Sequence, residues 1–282
     1  MKWMIPAKTF LVGEYVAIDG GPAIVLTTTP CFELHVSDSP GLHGIHPDSP
    51  AGLWWRNHGS DHLGLEWDDP YHGLGGMGAS SAQFLGAYQA TLSLQNKTST
   101  KKDLLEAYWQ CAWNGQGLRP SGYDVLAQSG QGCVYINQQK NTYQSFAWPF
   151  QHIGFILLHT EKKLPTHQHL QSKQLPRDTR HLATTVDLAV EAFEQADDLQ
   201  LMTAINTYHQ QLLSMDLVTE HSLRCIESLK EHTDIMAMKG CGAMGADVIL
   251  IVAPIEKMSC LTQELAQQRW NILATSADLF FE

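Results

Sequence analysis

The sequence predicts an α+β protein in two parts, and three observations predict it. Residues 5–14 and 22–29 are β-branched, apolar runs separated by Asp19-Gly20-Gly21, a strong turn signal, so they read as a hairpin. In the second half, helical periodicity over 178–195, 198–213 and 220–232 lies between strand-like runs at 152–159 and 248–252. That order of strand, helices and strand suits a sheet covered by helices. Between the two, Gln138-Gln139-Lys140-Asn141 and Trp148-Pro149 interrupt the pattern, so the parts are expected at 1–148 and 149–282.

Each element has its own signal. After the hairpin, residues 32–36 continue the sheet. The stretch 40–71 is loop-rich, with Gly, Pro, Asp and a Trp-Trp pair, and its strand content is left unplaced; such a stretch over a binding cleft is often functional. Residues 81–92 and 101–113 have helical period, and 133–137 reads as a short strand. Residues 248–252, directly after a glycine cluster, read as a buried strand. No repeat or low-complexity segment interrupts this order.

Three glycine-rich islands carry the chemistry: Pro6-Ala7-Lys8 leading to Gly13-Glu14-Tyr15, then Gly76-Met77-Gly78-Ala79-Ser80-Ser81-Ala82, and last Lys239-Gly240-Cys241-Gly242-Ala243-Met244-Gly245-Ala246-Asp247. Glycines let backbone N–H groups approach an anion, and a following helix N-terminus adds a favourable field. A nucleotide is the first ligand to consider. The middle island is not a P-loop, because no Lys-Ser or Lys-Thr follows its glycines. It is not a dinucleotide fingerprint either, because Gly76 and Gly78 are followed by Ala79, Ser80 and Ser81 rather than by a third glycine. Ser80 or Ser81 would contact phosphate or magnesium, or else merely cap the helix, a contribution of about 1 kcal/mol.

With these islands and Pro120-Ser121-Gly122-Tyr123-Asp124, the chain resembles the GHMP small-molecule kinases, the family of galactokinase, homoserine kinase, mevalonate kinase and phosphomevalonate kinase. PAKTFLVGEYVAIDGGPAIVLTT resembles the family's first motif, GMGASSA its phosphate loop and KGCGAMGADV its third motif. The resemblance implies an N-terminal ribosomal-protein-S5-like domain that binds ATP and a ferredoxin-like C-terminal domain, with the active cleft between them. It implies Asp124 as the catalytic carboxylate that orients or deprotonates the acceptor hydroxyl, Lys8 as the cation that keeps it ionised, and Glu14 as the partner that holds Lys8 in place. It assigns ATP to Gly76, Gly78, Ala79, Ser80, Ser81, Gly242, Ala243 and Gly245, and magnesium to Ser80, with Ser81 open because a one-residue shift reverses the assignment. Against Asp124 stands an ordinary turn aspartate bonded to its own loop.

Two departures from the family pattern matter. The helix before Asp124 offers only Glu106, too far upstream to match the family's magnesium-holding glutamate, so metal ligation would rest on Ser80, ATP and water. Met244 stands where the family prefers glycine and is expected to narrow the third loop. GEYVAIDGGPAIV looks more like the phosphomevalonate and mevalonate kinases than like galactokinases, and Asp247 with the missing magnesium-holding glutamate leans toward phosphomevalonate kinase of isoprenoid-precursor synthesis, with mevalonate kinase or another member of the family open, and a catalytically weak nucleotide-binding relative open behind those. Lys162, Lys163, Thr166, His167, Arg177 and Arg180, together with Arg119, are the basic residues available for an acceptor phosphate, or else a solvated loop.

Composition limits the partners. A chain of 282 residues with 44% apolar content is long enough for real cores, and its net charge of −11 argues against nucleic acid, which needs a basic face. An anionic small-molecule substrate must therefore meet a local cationic pocket. No apolar run reaches the ~18 residues of a membrane-spanning helix, and MKWMIPAKTF does not read as a signal peptide, so a cytoplasmic monomer or homodimer is expected. Six scattered cysteines include no CxxC pair, and the fourteen histidines fall in no metal-binding spacing.

Overall fold

Lys2–Val12 (β1) and Ala23–Ser37 (β2) form the expected hairpin in the computed structural model, which describes residues 1–161 and 178–282. The pair is antiparallel, from Lys2 opposite His35 to Val12 opposite Ile24, with irregular register between Ile5 and Ala7 and again between Phe10 and Val12. Gly41–His43 (β3), Gly64–Asp68 (β4), Cys133–Asn137 (β5) and Thr142–Phe146 (β6) complete a six-stranded sheet in the order β3-β4-β2-β5-β6, with β1 on β2. The long β2 serves three neighbours: β1 along one edge, and on the other β5 through Ala23–Leu26 and β4 through Glu33–Ser37.

A second sheet, wholly antiparallel, runs β10-β7-β9-β8. Its strands are Ile153–His159 (β7), Ala237–Cys241 (β8), Val248–Pro254 (β9) and Asn271–Thr275 (β10). The run VILIVA in β9 has no polar alternation because both faces are covered. Val248, Leu250 and Val252 join the largest buried cluster, which also takes Leu26, Phe155 and Tyr208, while Ile249, Ile251 and Ala253 face the opposite way. That outer face packs under Glu220–Leu229 (α7) and Met258–Gln267 (α8) through Ile226, Leu229, Leu261 and Leu265. Because the largest cluster draws on both sheets, one apolar interior joins them.

The helices of the first half are Pro50–His58 (α1), Ala79–Leu94 (α2), Lys101–Ala112 (α3) and Tyr123–Gln128 (α4); Arg180–Gln195 (α5) and Asp198–Ser214 (α6) precede α7. The stretch 40–71, whose strands the sequence left unplaced, folds into β3, α1 and β4. Ser49 caps α1 by accepting from the Gly52 amide, Pro50 opens it, and Trp54 and Trp55 bury its inner face. At the other end of the chain, the Phe280 amide donates to the Thr27 carbonyl and the Gly132 amide to the Phe280 carbonyl, which fastens the last residues to the first sheet. No helix among the described residues is long and apolar enough to cross a membrane.

Candidate active site

Strand β1 carries Lys8 to the edge of the second island, where its backbone N–H donates to the Met77 carbonyl at 3.0 Å. Opposite stands Asp124 in the first turn of α4, entered through Gly122 in the left-handed region at φ 74°. A Cβ on Gly122 would push aside Leu105 Cδ2, 2.3 Å away, and the left-handed backbone there would strain any larger residue. Lys8 Nζ and Asp124 Oδ1 are 3.0 Å apart, the lysine buried and the carboxylate 38% exposed. The turn is closed by Ser121 Oγ, which accepts from the Tyr123 amide, so the Asp124 carboxylate is not consumed by its own loop. Beside it, burial foremost and the Asp124 charge next push the Tyr108 phenol upward, and this hydroxyl stays neutral at ordinary pH.

The second island turns into α2 through Gly76 at φ 88° and Gly78 at φ 83°. The N-cap of this helix is Gly78, which has no side chain to cap it. Both Ser80 and Ser81 line the cavity, but Ser81 is buried and donates its hydroxyl back to the Gly78 carbonyl at 2.9 Å, whereas Ser80 is exposed. The first turn of this 16-residue helix, through Gly78, Ala79, Ser80 and Ser81, borders the cavity with no N-cap side chain on its first amides, an arrangement that favours an anion. A Cβ on Gly76 would lie 2.6 Å from Val248 Cγ2 and 2.8 Å from Asp247 Cβ, which shows how tightly this loop sits on the third island.

From the third island, Gly242, Ala243 and Asp247 reach the cavity. Gly245 does not line it; this residue packs on Gly240, where a Cβ would lie 2.5 Å from the Gly245 carbonyl oxygen, and that oxygen accepts from Ser222 Oγ at 2.8 Å. Met244 does not intrude either. It takes the left-handed backbone at φ 57°, buries its side chain in the main core, and donates its amide to the Tyr15 hydroxyl.

The expected pairing of Glu14 with Lys8 is corrected. Glu14 Oε1 instead meets Lys239 Nζ at 2.5 Å, in a pair that is almost wholly buried. The chain turns at Gly13 after the irregular register of β1, which sends the Glu14 side chain toward the second sheet and leaves Lys8 to Asp124. Burial works against the Lys239 ammonium, but the Cys241 sulfur and the Glu14 carboxylate outweigh it and hold its pKa above the usual lysine value. The Tyr208 hydroxyl donates to the Glu14 carbonyl at 2.6 Å, and Tyr15 has its phenol pushed up to about 12, chiefly by burial. Glu14 Oε2 is buried with no hydrogen-bond partner among the described residues.

Lys8, Asp124, Glu14, the middle island and part of the third thus line one cavity of about 420 Å³, within the ~300–1,000 Å³ usual for small-molecule sites. Tyr15 and Lys239 fall within the first and third islands but had no role assigned by sequence, and Tyr108 stands in no motif at all. Glu106 lies on a separate groove with Trp54 and Gln110, away from the cavity. Arg180 is engaged on the surface by Asp178, its Nη2 2.6 Å from Oδ2. Lys162, Lys163, Thr166, His167 and Arg177 lie outside the described residues. Among the described residues, no group of three or more acids, histidines or cysteines is placed to hold a metal by itself.

No family model matches the chain, and no curated protein sequence matches it. Solved structures do. The phosphomevalonate kinase of Streptococcus pneumoniae superposes with a TM-score of 0.78 at 17% identity over 98% of each chain. The mevalonate kinase of Methanococcus jannaschii gives 0.76 at 14% identity over 100% of this chain and 98% of that one. The galactokinase of Lactococcus lactis, complexed with galactose, gives 0.75 at 11% identity over 94% and 88%. The chain has the α+β fold of the GHMP kinases over essentially its full length.

Proposed function

We propose that this protein is an ATP-dependent small-molecule kinase that transfers the γ-phosphoryl group to a hydroxyl of a small anionic acid. The observation that carries the reading is the Lys8–Asp124 ion pair, 3.0 Å across, on the same cavity as the uncapped N-terminus of α2. Phosphoryl transfer needs a cradle for phosphate, a cation for the developing charge and a place for the acceptor proton. The amides of Ala79, Ser80 and Ser81 with Gly76 and Gly78 form the cradle on one side, and Gly242 and Ala243 face it from the other. Segments 1–148 and 149–282 would each supply a wall.

In this reading Asp124 accepts a hydrogen bond from the acceptor hydroxyl, aligns its oxygen and takes its proton as the new O–P bond forms. Lys8 holds that carboxylate in position and balances charge on the transferring group. Glu14 acts indirectly, by anchoring Lys239 and the third island. The exposed Ser80 hydroxyl suits magnesium, a hard cation that binds through few protein oxygens and keeps its waters and phosphate ligands. Magnesium bound with ATP would neutralise phosphate charge.

Phosphomevalonate is the preferred acceptor. The fold is shared with a Streptococcus pneumoniae phosphomevalonate kinase whose structure holds phosphomevalonate and AMPPNP, at TM-score 0.78 and 17% identity, and Asp247 with the missing magnesium-holding glutamate leans the same way. Mevalonate is the second candidate. ADP release measured with magnesium and ATP against phosphomevalonate, mevalonate, homoserine and common sugars tests the reading. Turnover of phosphomevalonate above the others is expected; ADP release with none of them would overturn the kinase assignment.

A further inference from the structure

The cavity wall carries two lysine-anchored acids and one cation that no acid neutralises. Lys8 is bound to Asp124, and Lys239, behind the wall, to Glu14. Arg119 lines the same cavity, and among the described residues no carboxylate lies within ion-pair distance of it. Its position is nevertheless held. The guanidinium carbon sits 3.8 Å from the centre of the Trp109 ring, and the Trp109 indole N–H donates to the carbonyl of Pro120, the next residue after Arg119, at 2.8 Å. Helix α3 thus supplies a flat platform that is bonded to the very loop carrying the arginine, and a guanidinium lying on an aromatic face keeps its N–H edges free for a planar anion. Two of these edges match a carboxylate or a phosphate in a paired geometry.

We propose that Arg119 is the receptor for the acceptor's anionic group, so that this site selects a small hydroxylated molecule bearing an oxyanion over a neutral one. The assignment rests on the kinase reading for the nucleotide that fills the rest of the cavity. It follows from charge as well as geometry. In a chain of net charge −11, whose cavity also presents Asp124 and Asp247, an anionic acceptor is repelled unless a local cation meets it, and Lys8 is committed at the reacting centre. Arg119 and Asp124 lie five residues apart on the two sides of the Pro120-Ser121-Gly122 turn, so one short loop would grip the acceptor's charged end and its reacting hydroxyl together.

Calorimetric titration of the whole protein with mevalonate, which carries only a carboxylate, with phosphomevalonate, which carries a phosphate as well, and with galactose, which is neutral, tests this. Arg119→Ala is expected to weaken binding of the acid at least ~tenfold, the loss of one charge-assisted paired contact, while binding of magnesium-ATP stays within about twofold. Arg119→Lys, which keeps the charge without the fork, is expected to recover part of it. Equal weakening for both acids assigns the carboxylate to Arg119, and weakening for phosphomevalonate alone assigns the phosphate. Wild-type protein that binds neither acid, or an Arg119→Ala protein that binds them normally or loses ATP instead, overturns the assignment. ADP release measured in parallel separates the two readings: acid binding that needs Arg119 without any turnover would sink the kinase reading alone, and turnover at normal KM in Arg119→Ala would sink only the receptor.

Discussion

Asp124 and Lys8 sit within a hydrogen-bond length of each other, and their removal should be felt in different ways. Asp124→Asn keeps the shape and loses the proton acceptor, so kcat is expected to fall at least ~100-fold, the lower end of general-base effects, with ATP affinity within a few-fold. Steady-state kinetics and titration with a fluorescent ATP analogue check both halves, and wild-type turnover would remove Asp124 from the reaction. These two residues were legible because each stands in a motif whose local geometry is encoded nearby: Gly122 supplies the positive φ for one, and a β-strand the straight reach for the other. The partner of Glu14 was not legible. Lys239 lies 225 residues away in sequence, and only the turn at Gly13 and the meeting of two sheets decide that the carboxylate finds it rather than Lys8. Ser80 and Ser81, which the sequence left open, separate in the structure because one helical step puts Ser81 Oγ on the Gly78 carbonyl and leaves Ser80 outward.

The loop from Gly76 into α2 gives the element scale its test. A Cβ on Gly78 would stand 2.7 Å from Lys8 Cγ and 3.0 Å from Gln128 Nε2, and the backbone there is left-handed. Gly78→Val is therefore expected to displace the lysine stem and close the approach to the helix amides together. Nucleotide binding should be lost in a protein whose far-UV circular dichroism is unchanged; a folded variant with undiminished affinity would move the nucleotide elsewhere. At this scale most elements were readable, because helices of 12 to 17 residues such as α2, α3, α5 and α6 repeat their period long enough to be seen. Helix α1, with 9 residues between proline, glycine and histidine, was hidden by its length, although Ser49-Pro50 is the cap-and-proline signature of a helix start. Strand β6, with its half-exposed residues, was lost among the turn signals on either side.

Across the whole molecule, the Glu14–Lys239 pair joins the first sheet to the second through the interior. Lys239→Met leaves a buried carboxylate without its cation and is expected to cost ~3–5 kcal/mol in urea unfolding, whereas the same change combined with Glu14→Gln should recover part of the loss. Alkali offers a second test. The folded pKa of Lys239 lies above its unfolded value, so its contribution is complete below about pH 10.4, the ordinary lysine pKa, and is lost as pH rises through the folded value. Tyr15, raised to about 12, acts in the same sense, because the unfolded chain gives up that proton first. The unfolding midpoint should hold up to about pH 10 and decline above it, less steeply in Lys239→Met, and a flat profile through pH 12 would contradict the buried pair. With the Tyr208 bond to the Glu14 carbonyl and the Met244 bond to Tyr15, this pair rivets the floor of the cleft at three points. Mechanically the site is a notch rather than a jaw: its width at the bottom is set by bonds internal to the protein, and an arriving ligand would find its walls already spaced, with little of its binding free energy diverted into drawing them together.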